Sequence, residues 1–352
     1  MKPKKLEKGD KVAIVSLSRG LLGMPFCKHE LDLGLKRLRE IGLEPIIMPN
    51  ADKDMEYLEK HPEKRAEDLK EAFKNKEIKA IINAIGGEDT YKTIPFLMED
   101  NEFKDIVKNN PKIFIGFSDT TNNHLMLNKL GLSTFYGPCF LIDIAELDKE
   151  MLPYTKEAFE KLFASDKQIE IKSSPVWYKD REDYSEKQLN IPREKVLETH
   201  NYETINGKGI VQGKLYGGCI EILYDAMYGK SSEIYKKYSI LPTTEEWKEK
   251  ILFIETSDNK ISPKELKMIL TKMKEDNILE NVKGILVGKP IDEVYYNEYK
   301  NIYKEVFKDI KTPILYNVNF GHSVPRCILP YDALTEVNYD KKTITIKDPF
   351  FQ

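Results

Sequence analysis

Over the first 140 residues, apolar side chains fall by turns into short unbroken runs and into helical spacing. Residues 11–16 form a run of strand length, whereas residues 29–41 place Leu31, Leu35, Leu38 and Ile41 three or four apart, on one face of a helix. Gly42 follows as a stop, because glycine tolerates the left-handed backbone that ends many helices. The rhythm continues with strands expected at 45–48, 78–85 and 112–117. Helices are expected at 60–75, 91–101 and 120–130, the last closed by Gly131. Such alternation predicts βαβ units around a mostly parallel sheet, one open α/β layer.

Between residues 165 and 205 the rhythm fails. Ser173-Ser-Pro-Val-Trp-Tyr-Lys-Asp180 and the charged stretch after it keep neither period for long, as a linker or a functional lid would. Beyond it, strands are expected at 209–215, 250–255 and 282–287 and in a β-rich end at 333–346. Helices are expected to open at Gly217-Gly218 and to run over 263–274. The expected organisation is an N-terminal α/β domain over 1–165, a linker and substrate loop over 166–205, and a C-terminal mixed α/β domain over 206–352.

Composition narrows the class. A chain of 352 residues suits two domains at roughly 150 residues each. The 55 Lys and Arg against 58 Asp and Glu give a net charge of −3, which speaks against a nucleic-acid partner, since gripping a phosphate backbone takes a basic face. No apolar run approaches the roughly 18 residues of a membrane span, and the N-terminus lacks a secretory leader. The four cysteines Cys27, Cys139, Cys219 and Cys327 are scattered without CxxC spacing, so neither a metal site nor a disulfide framework is expected. These features predict a cytoplasmic protein with reduced thiols, no membrane partner and no cofactor.

The residues that could carry chemistry sit at expected strand ends. Ile113-Phe-Ile-Gly-Phe-Ser118 turns at once into a helix, which would hold the Ser118 hydroxyl out at the sheet edge beside fresh backbone N–H groups. A simple helix N-cap is the alternative. Ile85-Gly-Gly-Glu-Asp-Thr90 is a second such loop. It reads as a phosphate cradle, as an oxyanion element pairing the amides of Gly87 and Asp119, or as a tight capped turn. Of five histidines, His322 in Asn317-Val-Asn-Phe-Gly-His322 follows an apolar run and a glycine, a strand-end position suited to a general base. His124 reads equally as a core residue. Glu255 closes the apolar strand 251–254 and is the candidate orienter of the imidazole, with Asp258 competing.

Taken together, these segments resemble the LD-carboxypeptidase family of serine peptidases, and most of all its branch of microcin C self-immunity proteins. The resemblance rests on Lys-Gly-Asp10-Lys-Val-Ala-Ile-Val-Ser16, Ile85-Gly-Gly-Glu-Asp89, Gly116-Phe-Ser118-Asp-Thr120, Tyr136-Gly-Pro138, Gly217-Gly218, Ile254-Glu255 and Gly321-His322. It implies a flavodoxin-like N-terminal domain, a mixed α/β C-terminal domain, an active site in the cleft between them, and a homodimer. It further implies a Ser118–His322–Glu255 triad with an oxyanion hole from the amides of Gly87 and Asp119. The loop around Gly86 and Glu88 is nearer the immunity type, in which an aromatic residue on a long loop stacks on a nucleotide base. Trp177, one of two tryptophans, lies in such a loop, with Tyr178 as a second stacker and loop anchoring as the other role for Trp177. Two positions depart from the family pattern: Cys219 stands where Asn usually follows the two glycines, and Glu88 stands where the branch often has Asp.

The expected activity is hydrolysis of an amide-type bond through an acyl-enzyme, on microcin C-like aminoacyl-nucleotide antibiotics. Trimming of murein tetrapeptides in cell-wall recycling is the alternative within the family. A nucleotide-dependent kinase using the Gly86-Gly87 loop, and a silent protein that sequesters a toxic nucleotide, are alternatives of another class.

Overall fold

The computed structural model of the protein describes residues 1–164 and 167–352, so the domain boundary expected at 165/166 lies outside the described residues. Strands β1 (Lys11–Val15), β2 (Glu44–Ile47), β3 (Ile78–Asn83), β4 (Ile113–Gly116) and β5 (Phe135–Tyr136) form a parallel sheet in the order β5-β4-β3-β1-β2. Val12 to Val15, Ile81, Ile82 and Ile113 to Ile115 are fully buried, as expected of parallel strands covered on both faces. The helix Lys28–Ile41 ends at Gly42, which takes a φ of +100°.

Two expected helices differ from their reading. The one expected over 60–75 is two, Met55–Lys60 and Pro62–Lys74, because Pro62 has no N–H to continue a helix but opens one well. The one expected over 91–101 is a 3₁₀ turn, Thr90–Thr93, and a short helix, Ile94–Met98. A further helix, Asn101–Asn109, follows; the Asp100 side chain caps it by accepting from the Phe103 N–H.

The second region is a mixed sheet. The irregular segment contributes β6 (Ile169–Ile171), the paired ribbon β7 (Val176–Tyr178) and β8 (Lys195–Leu197), and β9 (Glu203–Asn206). The later strands are β10 (Ile210–Cys219), β11 (Lys250–Glu255), β12 (Gly284–Gly288), β13 (Ile314–Val318), β14 (Leu329–Pro330), β15 (Leu334–Asn338) and β16 (Thr343–Ile346). The sheet runs β6-β16-β15-β10-β11-β12-β13-β9, with a parallel centre of β10 to β13 and antiparallel flanks. Gly217 and Gly218 do not open a helix as expected: they end β10, and the helix begins at Ile220. Strand β14 leaves this region and pairs antiparallel with β5, at the edge of the first sheet.

This topology collects loops. The segments after β3, β4, β11 and β13 all emerge at the carboxyl ends of parallel strands, where open α/β sheets place their ligands. The first two carry Gly86 and Gly87, then Ser118; Glu255 is the last residue of β11, and the segment after β13 carries His322. Among the described residues no helix is long and apolar enough to cross a membrane.

Candidate active site

Ser118 leaves β4 with a φ of +64°, a left-handed backbone that a serine holds only where its surroundings impose it. The helix that follows, Thr121–Lys129, receives the chain through one 3₁₀ turn, so the residue is an elbow between strand and helix. Thr121 Oγ1 donates to the Ser118 carbonyl (2.7 Å), and the Ser118 N–H donates to the Tyr136 hydroxyl (3.1 Å).

Ser118 Oγ lies 3.0 Å from His322 Nε2, and His322 Nδ1 lies 2.8 Å from Glu255 Oε2. The same carboxylate oxygen accepts from the His322 backbone N–H at 3.2 Å. Gly321 makes this closure feasible: its φ is +80°, and a Cβ there would fall 2.2 Å from Glu255 Cγ. With Nδ1–H given to the carboxylate, Nε2 presents its lone pair to the serine. Burial presses the His322 pKa down, but the charge and hydrogen bond of Glu255, helped by Asp258 and Glu221, outweigh it and hold the pKa above its ordinary value. Asp258, the competing orienter, sits on the other side of the ring, 3.6 Å from Nε2, and is largely exposed.

The glycine loop closes against this elbow. A Cβ on Gly86 would lie 2.8 Å from Ser118 Oγ and 3.3 Å from the Asp119 nitrogen, so no larger residue fits there. The loop is pinned by the fully buried Asp119 carboxylate, which accepts from the Thr90 N–H (2.9 Å), the Ser18 hydroxyl (2.6 Å) and Asn122 (2.7 Å). Asp89 forms a forked ion pair with the buried Arg65 at 2.7 and 3.1 Å. The loop leads into the 3₁₀ turn Thr90–Thr93 and not into a long helix, so the helix N-terminus that a phosphate cradle uses is lacking.

Around Ser118 and His322 lies a cleft of about 140 Å³, lined by residues that include Arg19, Gly86, Gly87, Glu88, Asp180, Tyr184 and Arg326. Glu88 is mostly exposed and 3.7 Å from Arg19. Trp177 does not reach the cleft: it is buried, with the Lys289 ammonium 5.1 Å from its ring centroid. Tyr178 is half-buried and also stands outside the lining, its N–H donating to the Val324 carbonyl at 2.9 Å. The aromatic residue that the 166–205 segment does bring to the cleft is Tyr184. Its carbonyl meets His29 Nε2 (2.9 Å), and its hydroxyl donates to Asp180 (2.8 Å). Arg181 and Arg193, both paired with the buried Glu146 at 2.7 and 2.6 Å, hold this stretch down.

Sequence reasoning also missed Tyr136 and Arg326. The Tyr136 hydroxyl donates to Glu255 Oε1 at 2.6 Å. Arg326 holds the His322 loop: it is buried, pairs with Asp143 at 3.0 Å, packs 4.1 Å over the Phe117 ring and lies 3.4 Å from the His322 carbonyl. Arg326 came without a local signal, and Tyr136 stood within the Tyr136-Gly-Pro138 motif of the resemblance with no role assigned to it. Cys219 is buried and directs its Sγ to Glu221 at 3.3 Å. Burial, with Glu221 and Glu255 adding to it, pushes the Cys219 thiol well above its ordinary pKa, so it is no nucleophile. Among the described residues no cluster of three or more His, Cys, Asp or Glu is placed to hold a metal ion.

A MccF-like protein from Streptococcus pneumoniae, solved in complex with AMP, is 43% identical and superposes with a TM-score of 0.89, over 96% of this chain and 98% of that one. A probable murein peptide carboxypeptidase of Bacillus subtilis is 27% identical over 98% of this chain and 94% of its own length. The microcin C7 self-immunity protein of Escherichia coli is 26% identical over 92% and 89%. The family profile of the LD-carboxypeptidase N-terminal domain matches residues 12–137 and that of the C-terminal domain residues 212–337, and the chain belongs to the LD-carboxypeptidase family of serine peptidases.

Proposed function

We propose that this protein hydrolyses the amide-type bond joining an aminoacyl group to a nucleotide-like leaving group, as in microcin C-like antibiotics, and so detoxifies them. The observation that carries the reading is the unbroken hydrogen-bonded line from Ser118 Oγ through His322 to Glu255, at 3.0 and 2.8 Å. In it Ser118 attacks the carbonyl carbon while His322 Nε2 takes the hydroxyl proton, and Glu255 steadies the imidazolium that forms. The tetrahedral oxyanion meets the amides of Gly87 and Asp119. His322 then gives its proton to the leaving nitrogen, the C–N bond breaks, and the acyl group stays on Ser118. Water, activated by the same imidazole, releases the acid and restores the serine.

Two observations favour the nucleotide-bearing substrate. The structural relative with 43% identity was solved with AMP, and Tyr184 gives the cleft an aromatic wall against which a base can lie. The 27% identity to a murein peptide carboxypeptidase, level with the 26% to the microcin C7 self-immunity protein, supports tetrapeptide trimming as the second reading. The test is mass spectrometry of the wild type, Ser118→Ala and Tyr184→Ala with aspartyl sulfamoyl adenosine and with a murein tetrapeptide. Cleavage of the adenosine compound, lost in Ser118→Ala and raised about tenfold in KM by Tyr184→Ala, is the expected result. Cleavage of the tetrapeptide alone moves the protein to cell-wall recycling. Cleavage that survives Ser118→Ala ends the serine mechanism.

A further inference from the structure

One hydroxyl touches both ends of the proposed triad. Tyr136 closes β5 in the first sheet, is fully buried, and is walled by the rings of Phe253, Phe320 and His124 at centroid distances of 5.4, 6.5 and 5.6 Å. Its oxygen accepts from the backbone N–H of Ser118 at 3.1 Å and donates its single proton to Glu255 Oε1 at 2.6 Å. The other oxygen of that carboxylate is the one that takes His322. A phenol has one proton to give, so the direction of both bonds is fixed: a carboxylate can only accept, and a backbone N–H can only donate.

We infer that Tyr136 is a positioning residue for the reaction, setting the strength of the Glu255–His322 interaction and the place of the Ser118 turn through one hydroxyl. This rests on the reading of Ser118, His322 and Glu255 as the catalytic residues. Three consequences give it content. First, the donated proton draws off part of the carboxylate's charge, so Glu255 attracts the imidazolium less strongly than a carboxylate bonded to His322 alone. The imidazole is thereby held less firmly to its proton than it would be beside an undivided charge, which favours its service as a base. Second, the Ser118 N–H is taken up by Tyr136 and is not available to an oxyanion, which leaves that work to the amides of the neighbouring residues. Third, the hydroxyl crosses from the first sheet to the second: Ser118 follows β4, Tyr136 closes β5 and Glu255 closes β11. The distance between nucleophile and orienter is therefore held by a bond, and packing alone does not have to hold it. Burial, reinforced by the Glu255 charge, raises the Tyr136 phenol far above its ordinary range, so the hydroxyl keeps its proton as a donor must.

The experiment is a double-mutant cycle read on His322 itself. The His322 pKa is measured by NMR titration of protein carrying ¹⁵N-histidine, in the wild type, Tyr136→Phe, Glu255→Gln and the double variant. Removing the hydroxyl leaves the carboxylate charge undivided, so Tyr136→Phe raises the His322 pKa by about one unit. In the Glu255→Gln background the same change moves it little, because the hydroxyl acts through the carboxylate. An unaltered pKa in Tyr136→Phe, or the same shift in both backgrounds, overturns the inference. Where the phenylalanine protein does not fold, 3-fluorotyrosine at position 136 serves instead: a stronger donor of nearly the same shape lowers the His322 pKa, and an unmoved or raised value overturns the inference. Labelling of Ser118 by a fluorophosphonate is followed in parallel and is expected to slow severalfold at pH 7 in Tyr136→Phe, because the raised His322 pKa leaves less of the free base. Failure of the wild type to label removes the catalytic reading, while the titration still decides the part played by Tyr136.

Discussion

His124 and His322 are both buried, both stand beside the Ser118 turn, and differ in what meets their nitrogens. His124 Nε2 faces the Gly116 carbonyl at 2.9 Å and Nδ1 faces the Thr134 hydroxyl at 2.8 Å, both uncharged. Burial with only neutral partners drives its pKa down to about 3, so the ring is a neutral strut stacked on Tyr331 at 4.9 Å. His322 has a carboxylate on Nδ1 and a hydroxyl on Nε2, and its pKa is raised in spite of burial. Burial by itself makes a histidine inert. A buried countercharge on one nitrogen makes the other a base.

The contrast can be broken at three points. Replacing His322 by Gln removes the base and is expected to lower kcat/KM by about 10⁴-fold or more, with the substrate complex still detectable by calorimetry. An intact rate would transfer the role elsewhere. Glu255→Gln keeps the shape and deletes the charge, with an expected loss on the order of 10³-fold. It also predicts a pH signature. The raised His322 pKa places the acid limb of the kcat/KM profile above pH 6.5 in the wild type, with activity falling as pH drops through it. In the variant, only the charges of Asp258 and Glu221 still oppose burial, and the limb moves to lower pH. Thr134→Val gives the smallest change: His124 Nδ1 loses its donor, which is expected to lower stability by about 1–3 kcal/mol in a denaturant titration and to alter kcat/KM by no more than about twofold. A tenfold rate loss there would mean that the two histidines are coupled.

Much of this site could be read from the chain. Serine, glutamate and histidine stand at the ends of apolar runs, each beside a glycine or a turn, and such runs become strands whose ends gather at one edge. The two sheets were legible for the same reason. The helix Asn101–Asn109 was missed, although Phe103, Ile106 and Val107 share one face and Asp100 offers a cap, because nine residues show that period only once. Trp177 misled differently. Its loop context was visible, but that the remote Lys289 would cap the indole, itself tied to the buried Glu198 at 3.1 Å, depends on packing between distant segments. Tyr136 was visible only as part of a motif: nothing local distinguishes a tyrosine that fills the core from one whose hydroxyl bridges Ser118 and Glu255.

The excursion of β14 has a mechanical consequence. The chain leaves the second sheet at Val318, makes the turn that carries His322, is stitched by Leu329 and Pro330 to the edge of the first sheet beside Phe135 and Tyr136, and returns to the second at Leu334. Two plates sewn together along the seam that holds the base cannot gape like jaws on a hinge without tearing that seam.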